Sequence, residues 1–144
     1  MKVVDILNYN RAIKMIIDNA NDVNSLVKFK LLGMLKQFEP VVQNFEIIRE
    51  EKIKEYGTVD DQVRTGIFEP KEEDFETVTD FEEAHKKFEE VLTNFNKDLD
   101  SILNSESEIE ITKFKYTDIM DAGLSSDYLM VIYDLIEEWL EVYE

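Results

Sequence analysis

Glu82-Glu83-Ala84-His85 pairs a glutamate with a histidine three residues later. On a helix, Glu-x-x-His is half of a di-iron carboxylate site, which needs a second copy of the motif and further glutamates from facing helices. The chain has one histidine, so a single copy cannot complete that set, and no metal site is expected. His85 reads instead as a boundary or surface residue beside the Phe81/Phe88 stripe. A Ser-His-Asp site would also have to use His85, and no Gly-x-Ser-x-Gly turn is present. Gly33, Gly57, Gly66 and Gly123 are isolated, so no phosphate-cradling loop is formed. No calcium-loop register occurs. Cysteine is absent, which removes thiolate ligands, cysteine nucleophiles and disulfides. With 33 acids in 144 residues, no chosen carboxylate pair stands out for acid–base work. The expected catalytic, cofactor and metal inventories are therefore all none, and the expected mode of action is binding.

Residues 1–56 hold nine Lys/Arg and eight Asp/Glu; residues 57–144 hold seven and twenty-five. The second stretch thus carries the acidity of a chain whose formal net charge is −17. Direct nucleic-acid binding is disfavoured, because phosphate neutralisation requires a basic surface. A protein partner, preferably basic, is favoured electrostatically. No targeting segment is visible in Met1–Asp18, where Asp5, Arg11, Lys14 and Asp18 interrupt every apolar run. No membrane association is expected.

The elements that must carry any binding surface are mostly helical. Hydrophobic content is 44%, ample for one core, and a single domain over 1–144 is the default at this length. Ile6, Tyr9, Ile13, Ile16 and Ile17 predict a first helix over Asp5–Asp18. Asn24 or Ser25 should start a second, long helix. Its face is Leu31, Leu35, Phe38, Val42 and Phe45, widened by Leu32, and it should end at Tyr56 with Gly57 at C′. Pro40 predicts a kink or break near Gln37. Val63–Phe68 reads as a short strand. Asp80 and Glu83 resemble a capping box for a third helix ending near Asn104. Phe81, Phe88 and Phe95, with Phe29, Phe38 and Phe45 on the second helix, are expected to be core. Glu108–Phe114 alternates as a half-buried strand, with Ile67–Phe68 as its expected partner. Ser125 should cap a last helix running to Glu144.

The expected fold is therefore mainly α. Four to five helices would include a long antiparallel pair, helices two and three, with the first and last covering its groove, and a small two-stranded β element. The aromatic and acidic C-terminal stretch is the candidate partner-binding surface: Tyr133, Glu137, Trp139, Glu141 and Tyr143. Trp and Tyr are enriched at interface hot spots, and a rim of Glu steers a basic partner. Uncovered apolar stripes would also permit a homo-oligomer.

Three stretches in order resemble a family of small acidic proteins of unknown function encoded by tailed phages and prophages of low-GC Gram-positive bacteria. They are Phe29-Lys30-Leu31 through Phe38-Glu39-Pro40 to Glu55-Tyr56-Gly57, then Glu108-Ile109-Glu110-Ile111, then Leu124-Ser125-Ser126-Asp127-Tyr128-Leu129 through Leu135-Ile136-Glu137-Glu138. The resemblance implies a phage origin, no catalytic residues, and action in the cytoplasm of the infected host or on the virion. The expected function is an accessory or assembly protein working by protein–protein contact. The alternative is an acidic nucleic-acid mimic that inhibits a host defence or nucleic-acid-binding protein.

Overall fold

The computed structural model describes residues 1–120 and 122–137. It is mainly helical, with five α-helices among the described residues. They are α1 (Val3–Asn19), α2 (Ser25–Tyr56), α3 (Val78–Leu103), α4 (Tyr116–Ile119) and α5 (Ser126–Val131). Four two-residue strands accompany them among the described residues: β1 (Thr58–Val59), β2 (Thr65–Gly66), β3 (Phe114–Lys115) and β4 (Ile136–Glu137). The chain divides into two compact units. One comprises Met1–Val42 with Glu106–Glu144, and the other is Gln43–Ser105.

In the first unit, α1 buries Ile6, Ile13 and Ile16, and the first part of α2 buries Val27, Leu31, Met34 and Phe38. Phe114, Tyr116, Ile119, Ile132, Leu135 and Ile136 complete this core. Asn24 caps α2, its side chain accepting from Leu26 N at 2.8 Å, as the run of capping residues predicted. The same loop is stitched to the far end of the chain by Asn24 N donating to Ala122 O at 2.8 Å. Gly123 has φ +80, and a Cβ there would collide with the Asp22 carbonyl.

Helix α2 runs through Pro40 without a break, against the expectation near Gln37. Lys36 and Pro40 are both exposed, so the Lys36 carbonyl that loses its donor faces water. Gly57 does follow the helix, but without positive φ. A Cβ there would strike Ile53 O and come within 2.7 Å of Gly66 O, so close backbone approach is what requires glycine. The start of α3 also differs: Thr77 is the cap, accepting from Asp80 N at 3.1 Å, one turn before the expected box.

The strand expectations need larger correction. β1 and β2 form an antiparallel pair, Thr58 opposite Gly66 and Val59 opposite Thr65. β3 pairs in parallel with β4, Phe114 opposite Ile136. The segment before β3 keeps its two-residue burial alternation as far as Thr112, with Ile109 and Ile111 half-buried, but has no strand partner among the described residues. Ser125 does cap α5, accepting from Tyr128 N. The helix expected to reach Glu144 instead stops at Val131, followed by a 3-10 turn (Tyr133–Leu135) and β4. Phe114 is buried, so its backbone groups require partners, and β4 supplies them. Helices α1 and α5 pack in the first unit and not in the unit holding α3.

The second unit contains the long antiparallel helix pair. Lys52 on α2 meets Asp98 on α3 at 3.5 Å. One turn later Tyr56 meets Phe95, with ring centroids 6.4 Å apart. Positions thus rise along one helix as they fall along the other. Phe45, Phe95 and Leu99 are its buried apolar residues. The turn between β1 and β2 is organised by Asp60, whose carboxylate accepts from Gln62 N, Arg64 N and Arg64 Nε. The Arg64 backbone bond, the largest influence, holds this carboxyl below its ordinary range. Val63 is exposed and has φ 57, a costly conformation for a β-branched residue.

Two substitutions test these backbone constraints by urea unfolding. Gly123→Ala should destabilise by at least about 1–2 kcal/mol, from the left-handed φ alone. Val63→Asn should stabilise by about 0.5–1 kcal/mol, since asparagine tolerates that region.

Candidate functional site

Of the C-terminal candidate surface, Tyr133 and Glu137 fall within the described residues. Tyr133 begins the 3-10 turn and is half-buried, while Glu137 is exposed in β4 opposite Lys115. Trp139, Glu141 and Tyr143 lie outside the described residues. Next to Tyr133, Asp134 accepts a hydrogen bond from the Tyr9 hydroxyl at 3.1 Å. Burial, then that bond, pushes Tyr9 up to about 12. The corresponding stabilisation is present below the ordinary tyrosine value near 10 and is lost as pH rises through about 12.

A different surface stands out on α2 in the first unit. Phe29 is 74% exposed, Leu26 57% and Leu32 46%. These three side chains lie opposite the buried Val27/Leu31/Met34/Phe38 face, at three-residue steps along one stripe. Phe29 therefore departs from the core role expected of it, whereas Phe38 and Phe45 are buried. The signal was present in the sequence. Phe29 sits two residues before Leu31, about 200° away around the helix. Gly33 joins the same outward face, and a Cβ placed there would meet nothing within 4 Å. An exposed glycine in a helix costs about 1 kcal/mol relative to alanine, and no contact among the described residues explains it. Lys28, Lys30 and Lys36 accompany the stripe, with no acid between Asp22 and Glu39. Lys30 pairs with Asp118 at 3.7 Å.

The second unit has a cavity of about 300 Å³ where α2 ends, lined by Tyr56, Ile67, Phe68, Phe88, Val91 and Lys87 among others. Its Tyr56 wall is pinned. The hydroxyl donates to Asp98 Oδ2 at 2.6 Å, and Lys52 reaches both Glu55 (3.0 Å) and Asp98 (3.5 Å). The bond from Tyr56 holds the Asp98 carboxyl below its usual value, and the same bond raises the Tyr56 phenol. Farther along α3, His85 lies between Phe81 and Phe88, at ring distances of 5.9 and 6.1 Å. Its nitrogens are 3.4 Å from Glu89 and 3.9 Å from Glu69. His85 is half-buried, a boundary position. Among the described residues no group of three or more His, Asp or Glu is placed to hold a metal ion. Likewise, no described helix is long and apolar enough to cross a membrane.

Comparison with protein-family models, curated proteins and solved structures gives no match.

Asp98 has a lowered carboxyl pKa, so its contribution is present above the unfolded value near 4 and is lost as pH falls through the folded one. The raised Tyr56 phenol gives a contribution present below about 10. Tyr56→Phe should therefore lower the thermal midpoint by a constant amount between about pH 5 and 9, and by less below pH 4. A midpoint difference that grows on acidification would contradict the Tyr56–Asp98 bond.

Proposed function

We propose that this chain is a phage-encoded accessory or assembly protein that acts in the infected host by protein–protein contact and does no catalysis. The observation that carries the reading is the exposed Leu26/Phe29/Leu32 stripe on α2, with bare Gly33 beside it. An exposed aromatic residue flanked by leucines, with a glycine that admits another backbone, suits a protein contact patch. The phage origin rests on the resemblance of the 29–57, 108–111 and 124–138 stretches. The chain as a whole, at −17, steers toward basic proteins. At the stripe itself, Lys28 and Lys36 favour a partner surface that presents acids there.

A second reading is mimicry of nucleic acid against a host defence or nucleic-acid-binding protein. It is favoured by the exposed carboxylates of Glu72, Glu73, Asp74, Asp80, Glu82, Glu83, Glu89 and Glu90 in the second unit. The two readings separate by salt. A mimic loses its partner steeply between low and physiological ionic strength, and an apolar contact does not.

Phe29→Asp should leave stability within about 0.5 kcal/mol, as for an exposed site, while abolishing partner capture from infected cells in a side-by-side pull-down. Gly33→Ala should stabilise the free chain by roughly 0.5–1 kcal/mol yet weaken that capture. Undiminished capture by Phe29→Asp would end the stripe-based reading. Capture that survives in Phe29→Asp but collapses in moderate salt would favour mimicry.

A further inference from the structure

The cavity of the second unit is independent of the α2 stripe, and its walls explain why it stays open. Gly57 and Gly66 both line it, and at Gly57 the backbone of Ile53 and Gly66 leaves no room for a Cβ. At Gly66 the added atom would come within 2.9 Å of the Phe68 ring. Phe68 thus lies over Gly66 as part of the lining. On the opposite side Phe88 and Val91 come from α3 at three-residue spacing. Tyr56 cannot swing in, because its hydroxyl is held by Asp98 at 2.6 Å. The space is about 300 Å³. It lies at the lower end of the range for small-molecule sites.

The lining is chemically one-sided. Ring faces and aliphatic groups dominate, and the Tyr56 hydroxyl is already committed. Water in such a space makes few good hydrogen bonds, so an apolar body that displaces it gains free energy. Lys87 is the charged residue of the wall. In an acid-rich helix it has no ion-pair partner within 4 Å among the described residues. A cationic head would meet this ammonium unfavourably, while an anionic head would complete it.

We infer that this cavity binds a small apolar molecule carrying one negative charge. Its body packs among Tyr56, Ile67, Phe68, Phe88 and Val91, and its anionic group pairs with Lys87. A medium-chain carboxylate has the required shape and size.

Calorimetric titration of the full chain with octanoate, octanol and octylammonium reads this directly. Octanoate should bind saturably with a Kd on the order of 1 mM or below, given its size. Octanol should bind more weakly and octylammonium weakest. Lys87→Gln, at an exposed position, should weaken octanoate about three- to fivefold and leave octanol unchanged. Ala84→Phe, which projects a ring from α3 into the cavity, should abolish both. Phe29→Asp should bind octanoate like the parent chain, which separates this site from the proposed protein contact. No saturable octanoate binding would overturn the inference, as would octylammonium binding as well as octanoate. Octanoate binding undiminished in a folded Ala84→Phe variant would do the same.

Discussion

In the first unit, one-sided helices have to be covered by sequence that lies far away. Ile6, Ile13 and Ile16 on α1 and Val27, Leu31, Met34 and Phe38 on α2 form apolar faces that neither helix can hide alone. The cover is Phe114, Ile119, Ile132, Leu135 and Ile136, from beyond the entire second unit. Each such side chain contributes roughly 1.5–3 kcal/mol when fully buried. The entropy of closing the intervening loop grows only logarithmically with its length. A handful of these side chains therefore offsets it. Once Phe114 is buried, its peptide groups need partners, and that requirement draws Ile136 and Glu137 into a parallel pairing.

The second unit rests on a different interaction. The Tyr56 hydroxyl, the Asp98 carboxylate and the Lys52 ammonium tie the last turn of α2 to α3, while Phe95 meets the Tyr56 ring edge-on. The β1–β2 hairpin then lies against this end through Gly57 and Gly66. Bare glycine backbone on one wall and a tethered tyrosine on another leave a space lined by carbon. The close backbone approach at Gly57 and the Tyr56–Asp98 bond fix two of the cavity's walls.

Charge and apolar exposure divide the surface between them. The second unit carries most of its carboxylates in the open, which sets solubility and long-range steering. The α2 stripe is local and short-ranged, with lysines beside it. Affinity at an interface concentrates in a few buried aromatic and aliphatic anchors rather than in summed charge. For that reason Phe29, and not the acidic stretch around Glu137, carries the functional reading.

Helical periodicity by itself determined α1, α2 and α3, because a 3.6-residue apolar repeat leaves little else for those stretches to do. Local capping chemistry likewise determined Asn24 and Ser125, and the single histidine limited metal chemistry. The 4-3 spacing around Leu31 even held the sign that Phe29 points outward. Tertiary structure alone decided the rest. Pairing of Phe114 with Ile136 depends on a backbone need that no local pattern expresses, so a helix-like run from Ser125 ends at Val131. The alternation in Glu108–Phe114 marked Ile109 and Ile111 as turning inward, but it would have turned Phe114 outward, and Phe114 is buried. The cavity arises where the end of one helix, a glycine hairpin and α3 converge, and periodicity carries no information about the space left between elements.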